Sequence, residues 1–255
     1  MAGDPLPDRG VRAALPGTEL TDAQMLFWQA KQIKSPREIE LIEHAGRVTA
    51  AGLEAVMELV RPGVTELELS AAAHEAMALG SDWVGHCVIA AGPRSGLKHL
   101  YPTPRPIEDG DLVFMDMGVH YQGYFTDTAR TLCAGTVAAG ARSCSADWTC
   151  SKLSSPRPAR ARGSLTCRTS PRALPRMPGY GAHYWPTGFG HGIGTNFAEL
   201  PSLHWKSETV LQPGHLFALE PMIVIQGLGC GVMEDQVLVT DTGARSLTPA
   251  RKKTW

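Results

Sequence analysis

The sequence predicts an α+β domain, on three observations. Two capped amphipathic helices stand near its start, apolar strands bounded by Gly or Pro follow, and one block of foreign composition separates those strands from a second set. Helices first and strands afterwards is the order of an α+β domain rather than of a regular strand–helix alternation. At 255 residues, 43% of them hydrophobic, the chain has room for one large or two small domains with a sizeable core.

The first element justifies itself best. SPREIELIEHAGRVTAAGLEAVMELV starts with Ser35 as N-cap, Pro36 at the first helical position and Glu38 three residues on, a capping-box signature. Ile39, Ile42, Ala45, Val48, Leu53, Val56 and Val60 then form one apolar stripe. Gly63 ends that helix and Thr65 caps a second, over Leu67 to Leu79. Residues 1–33 read as a short leader without strand alternation, and 34–255 as the main domain. CVIAAG, DLVFMDMGV, GYFTDTARTL, HLFALEPMIVI and GVMEDQVLVT read as strands, rich in Val, Ile, Leu and Phe.

Composition excludes several classes. With 24 basic and 25 acidic residues the net charge is −1, which argues against a nucleic-acid partner that would need a basic face. No run of about 18 apolar residues exists to span a membrane. The opening MAGDPLPDRG has no apolar core of a secretory signal. Six cysteines without a CxxC make no disulfide framework, so the expected setting is a reducing cytoplasm.

Residues 137–178 stand apart. They carry eight basic residues against one acid, Asp147, so this block is +7 and the remainder −8. The block has no glutamate, five prolines, three of the six cysteines and no helical or strand period. A basic nucleic-acid arm and a disordered insertion are two readings of such a run. A third is GC-rich DNA translated out of frame.

Chemistry concentrates in acids that fall within apolar strands, where carboxylates are depleted and seldom buried unless paired or metal-bound. Asp116 lies in LVFMDMG and Asp127 in YFTDTART, eleven residues later, with the turn between them. A hairpin would bring both to one face, because side chains alternate with period two. Glu220 precedes PMIVI and Glu234 precedes DQVLVT. Buried without compensation, each would cost several kcal/mol. Pairing with arginines such as Arg130 is one remedy. The other is a pair of divalent cations, whose charge four carboxylates neutralise, with His191 of the Gly-rich GFGHGIGTN segment beside them. Four carboxylates and one imidazole suit Mn, Co, Fe or Zn in a two-metal hydrolytic centre.

These residues resemble the M24 metallopeptidases: Xaa-Pro aminopeptidase, prolidase and, more distantly, methionine aminopeptidase and creatinase. GDLVFMDMGVHYQGYFTDTARTL is similar to that family's paired-aspartate hairpin, GHGIG to its histidine motif, and ALEPMI and MEDQVLVTDTG to its two glutamate motifs. His99 in SGLKHLYPTPRPIEDGD matches the histidine that lines its substrate pocket. The resemblance spans roughly residues 31–133 and 179–250. It implies the pita-bread fold, with two pseudo-symmetric halves around a dinuclear site. Asp116, Asp127, His191, Glu220 and Glu234 carry over as the ligands, Asp127 and Glu234 as bridges. A metal-bridging hydroxide would be the nucleophile, Glu220 the proton shuttle, and His99 a hydrogen-bonding partner of substrate. The implied activity is cleavage of Xaa-Pro dipeptides or of the N-terminal residue of Xaa-Pro peptides, with two divalent ions as cofactors. The partners expected are a peptide or small-molecule substrate, with no nucleic acid and no membrane; a homodimer is compatible with the resemblance. A creatinase-like hydrolase of a C–N bond in a small molecule and an inactive metal-binding homologue are the alternatives.

The chain departs from the family pattern in four places. Ala198 stands where a second histidine is usual, seven residues after His191, and Val232 where the Xaa-Pro enzymes usually carry arginine. Alanine donates no side-chain hydrogen bond and valine clamps no carboxylate. Only about 30 residues precede the catalytic region, so the expectation is a short form or a fragment. The 64 residues from Asp127 to His191 leave room for the family's two helices without an insertion, which favours the frame-shift reading of 137–178.

Overall fold

The computed structural model describes residues 6–97, 100–136, 167–168, 183, 188–204 and 209–252. Most of the 137–178 block, and with it every expectation about that block's helices, lies outside the described residues.

Two short helices, α1 (Leu6–Ala14) and α2 (Gln24–Gln32), occupy the stretch read from sequence as a leader. The capping box at Ser35 forms as expected: its hydroxyl accepts from the Glu38 amide, and the Glu38 carboxylate accepts from the Ser35 amide. Helix α3 (Pro36–Leu59) follows and buries Ile42, Leu53 and Val56 completely. Burial of each such side chain contributes about 1.5–3 kcal/mol. Thr65 builds a second capping box with Glu68 and opens α4 (Glu66–Ala78).

The strands are β1 (Trp83–Ala91), β2 (Leu112–Tyr121), β3 (Tyr124–Phe125), β4 (Thr128–Cys133), β5 (Cys167–Arg168), β6 (Gly190–Gly192), β7 (Glu199–Leu203), β8 (Val210–Leu211), β9 (Leu216–Leu219), β10 (Met222–Ile225), β11 (Gly229–Val232), β12 (Asp235–Thr240) and β13 (Gly243–Ser246). In the first sheet β2 is central, with β1 along one side and β3 and β4 along the other, all antiparallel. Helices α3 and α4 cover it: Leu53, Val56, Leu69, Ala73 and Met77 pack on Ile89, Val113, Met115, Met117 and Val119 in one apolar cluster. The second sheet runs β13-β12-β9-β6-β7. Ile42 of α3 reaches this half too, against Ile193, Leu216, Leu238 and Leu247.

Three of the four strand acids sit at breaks between strands. Asp127 lies between β3 and β4, Glu220 between β9 and β10, and Glu234 between β11 and β12; Asp116 alone is inside a strand. The sequence shows only the continuous apolar runs. At Glu220 and Glu234 the chain exchanges one pairing partner for another, as β9 pairs with β12 and β10 with β11. At Asp127 it does not, since β3 and β4 both pair with β2. An isolated bridge from Arg130 to Met233, and a hydrogen bond donated by the Glu234 amide to the Ala129 carbonyl at 2.9 Å, tie the β11–β12 junction to β4. The two sheets therefore meet beside the aspartate hairpin. No described helix is long and apolar enough to cross a membrane.

Candidate metal centre

The hairpin register explains how both aspartates share a face. Asp116 pairs with Ala129 and Met117 with Thr128, so one further step sets Asp127 across from Gly118, two residues from Asp116. Position two residues apart restores the same side of the sheet. The bend before Asp127 is pinned from behind: Thr126 Oγ1 meets Thr49 Oγ1 of α3 at 2.7 Å and accepts from the Val119 amide at 2.8 Å. Helix α3 thereby sets the approach of Asp127.

On the opposite edge of β2, the sequence reading missed His86. Val88 pairs with Asp116 and His86 with Gly118, so His86 lies on the aspartates' face. Its Nε2 is 3.0 Å from Asp116 Oδ1 and 3.2 Å from Asp127 Oδ1. Gly118, between His86 and Asp127, has to be glycine. A Cβ there would stand 1.9 Å from the Thr126 carbonyl oxygen and 2.6 Å from His86 Cε1. In the sequence His86 stands two residues before Val88 at the start of an apolar run, which does not single it out; its register against Asp116 is a tertiary fact.

His191 arrives from the second sheet. Strand β6 is gripped between β7 and β9, and a Cβ at Gly190 would lie 2.3 Å from the Ala218 carbonyl, so glycine permits the close approach. His191 Nε2 stands 3.5 Å from Asp127 Oδ2, and its Nδ1 is 2.9 Å from the Gly192 carbonyl. Glu220 follows β9, its amide bonded to Phe189 O at 2.9 Å, and its charge acts on His191. Glu234 is buried at its junction. His99 lies outside the described residues.

Asp116 and Asp127 are 7% and 4% exposed. Burial raises the Asp116 carboxyl, the like charge of Asp127 adds to this, and contact with His86 opposes both; the outcome is about 6. For Asp127 burial works in the same direction but is outweighed by the two imidazoles, which hold it well below the usual carboxylate range. Burial would lower His86, yet its contacts with Asp116 and Asp127 push it up to about 10. His191 is likewise raised, against its own burial, by Asp127, Gly192 O and Glu220. The acid pair demands positive charge, and in the protein alone two imidazoles provide it.

The donor set fits a metal. Donor atoms of His86, Asp116 and Asp127 all lie within 4.8 Å of one another. Buried Asp127 Oδ1 accepts no hydrogen bond among the described residues, the His86 contact being a charge contact without hydrogen-bond alignment. A buried carboxylate oxygen of this kind calls for a cation.

One wall of the site is aromatic. Phe197, 42% exposed, meets the His86 ring edge-on at 5.1 Å and lies 5.7 Å from His191. Its loop is held by Glu199, whose Oε1 accepts from the Asn196 amide at 3.0 Å and from Thr195 Oγ1 at 3.2 Å. Glu199 is itself buried against Lys34 at 2.8 Å, with Lys31 at 3.2 Å. Ala198 is exposed in this loop. Val232, in contrast, is in the core beside Phe114, Ala129 and Met222, and presents no polar group to a substrate.

The model of metallopeptidase family M24 matches residues 40–241. The chain belongs to that family. A Xaa-Pro dipeptidase of Pyrococcus furiosus is 31% identical over 238 residues, covering 87% of this chain and 64% of that protein. Methionine aminopeptidase 2 of Mycobacterium tuberculosis is 30% identical, with 85% of each chain covered. The solved Xaa-Pro dipeptidase of Bacillus anthracis superposes with a TM-score of 0.85 at 27% identity, over 98% of this chain and 71% of that one. The M24 chain thus spans about two thirds of the length of the Xaa-Pro dipeptidases it matches. These likenesses bear out the family and the pita-bread α+β fold expected from the five motifs.

Proposed function

We propose that this M24 chain is a dinuclear-metal peptidase, cleaving Xaa-Pro dipeptides or the N-terminal residue of Xaa-Pro peptides. The observation that carries this reading is the buried Asp116–Asp127 pair, with one imidazole facing each oxygen of Asp127. Asp116, Asp127, His191, Glu220 and Glu234 would hold the two divalent ions, Mn, Co, Fe or Zn. When bound, such ions supply Lewis-acid polarisation of a scissile carbonyl and a nucleophile at neutral pH. Glu220 is half-buried and beside His191, which suits it to take a proton from the attacking water and pass it to the leaving amine. Phe197, half-exposed beside both imidazoles, gives an apolar face on which a substrate side chain can rest. Exposed Ala198 itself offers no side-chain donor toward developing charge, so turnover should be slow.

The experiment is metal analysis joined to a substrate panel of Xaa-Pro dipeptides, N-terminal Xaa-Pro peptides and creatine. The parent should hold about two ions per chain and hydrolyse a Xaa-Pro substrate. Asp127→Ala should hold at most one, weakly, and fall to background turnover. An Asp127→Ala protein with the parent's metal load would refute the assignment, and activity on creatine alone would move the substrate to the C–N class.

A further inference from the structure

We propose that His86 is itself a ligand of the metal centre, so that each of the two ions has an imidazole: His191 on one, His86 on the other. This rests on the dinuclear reading above and goes beyond its four carboxylates and single histidine. The first support is register. His86 and Asp116 are on adjacent strands at diagonal positions of one face, the geometry in which side chains meet. The second is the slot at Gly118. The residue directly opposite His86 lacks the one atom that would touch its ring, so the imidazole can reach across β2 to Asp127.

The third support is the arrangement of donors around Asp127. Its Oδ1 faces His86 Nε2 at 3.2 Å, and its Oδ2 faces His191 Nε2 at 3.5 Å. A carboxylate bridging two ions directs one oxygen at each, and here each oxygen already has its own imidazole. His86 Nε2 is also 3.0 Å from Asp116 Oδ1. Ligands about 2.0–2.2 Å from a shared ion stand roughly 3.0–3.5 Å apart along the edges of its coordination polyhedron; His86 Nε2 has that spacing to both aspartates, and the three donors lie within 4.8 Å of one another. Phe197 then holds the ring from its outer side, edge-on at 5.1 Å. An added nitrogen donor softens that ion's surroundings and shifts preference from Mn toward Co, Fe or Zn.

The test counts imidazoles. X-ray absorption of the Co-loaded parent should show on average one imidazole per ion, and His86→Ala should halve that number. Calorimetric titration of the variant with Co should show one of the two ions bound about tenfold or more weakly, with a shifted visible d–d spectrum. His86→Gln keeps the side-chain volume and serves if His86→Ala fails to fold, as judged by circular dichroism. A parent spectrum with one imidazole per two ions overturns the proposal. So does a His86 variant that binds Co as tightly as the parent or more tightly, since His86 would then be a counter-ion that metal displaces. Asp127→Ala is run alongside: if it loses metal while the His86 variants do not, only the His86 assignment falls, and if it too retains the full load, the dinuclear reading falls with it.

Discussion

Two buried ionic clusters lie back to back in this fold, and they differ in how fully their charges are satisfied within the protein. In the first, Asp116 and Asp127 face His86 and His191. In the second, fully buried Arg130 donates to Asp235 Oδ1 at 2.6 Å, to the Ala129 carbonyl at 2.9 Å, to the Arg251 carbonyl at 3.0 Å and to the Glu234 carbonyl, while Lys252 meets Asp235 Oδ2 at 3.0 Å. The second cluster is complete, because a guanidinium is always charged and its donors here are directed at oxygens. The first has ionisable cations and a buried carboxylate oxygen without a hydrogen bond. The two clusters are kept apart by alternation along the chain: Asp127 and Arg130 are three residues apart, and Glu234 and Asp235 are consecutive, so each pair is divided between two faces.

Breaking the completed cluster should have the largest effect on stability. Arg130→Met leaves Asp235 buried with only half-exposed Lys252 as partner, and should lower the unfolding free energy in urea by about 3–5 kcal/mol. A double change, Arg130→Met with Asp235→Leu, should regain much of that loss. Unaltered stability in the single variant would mean that the two clusters do not differ in the way described.

Gly118→Ala sharpens the contrast from the other side. The added methyl must displace the Thr126 carbonyl and the His86 ring, with a cost of about 1–3 kcal/mol. It should also reduce the rise in melting temperature that added Mn or Co gives, since metal stabilises only the state that binds it. A variant with the parent's metal-induced rise would show that the slot is dispensable.

The smallest effect belongs to Ser35→Ala. Removing an exposed N-cap should lower stability by about 1 kcal/mol and leave metal content unchanged. A loss of metal there would mean that α3 positions Thr49 and Thr126 less rigidly than the contacts indicate.

Much of this was legible beforehand. The capping residues Ser35 and Thr65, the stripe of α3 and the apolar runs depend on local pattern, and the five motifs fixed the family. The breaks at Glu220 and Glu234 were not legible, because a strand that changes partners keeps its hydrophobic sequence, and the break at Asp127 interrupts a hairpin arm that stays beside β2 throughout. His86 was missed for a related reason: nothing local marks a strand histidine as facing an acid on the next strand. Arg130 was read as an alternative partner for the site acids, and counting parity along β4 would have set it on the other face.

The Lys34–Glu199 pair has an evolutionary consequence. Both side chains are almost wholly buried, Lys34 with 2% of its side chain exposed, and Glu199 in turn holds the loop that presents Phe197. Losing Glu199 alone would strand a buried ammonium; losing Lys34 alone would leave the carboxylate to the partly exposed Lys31. Either single step is destabilising, although exchange of both for well-packed apolar residues is often close to neutral. The link between α2 and α3 and the aromatic wall of the site should therefore change together, by paired substitution rather than by drift at one position.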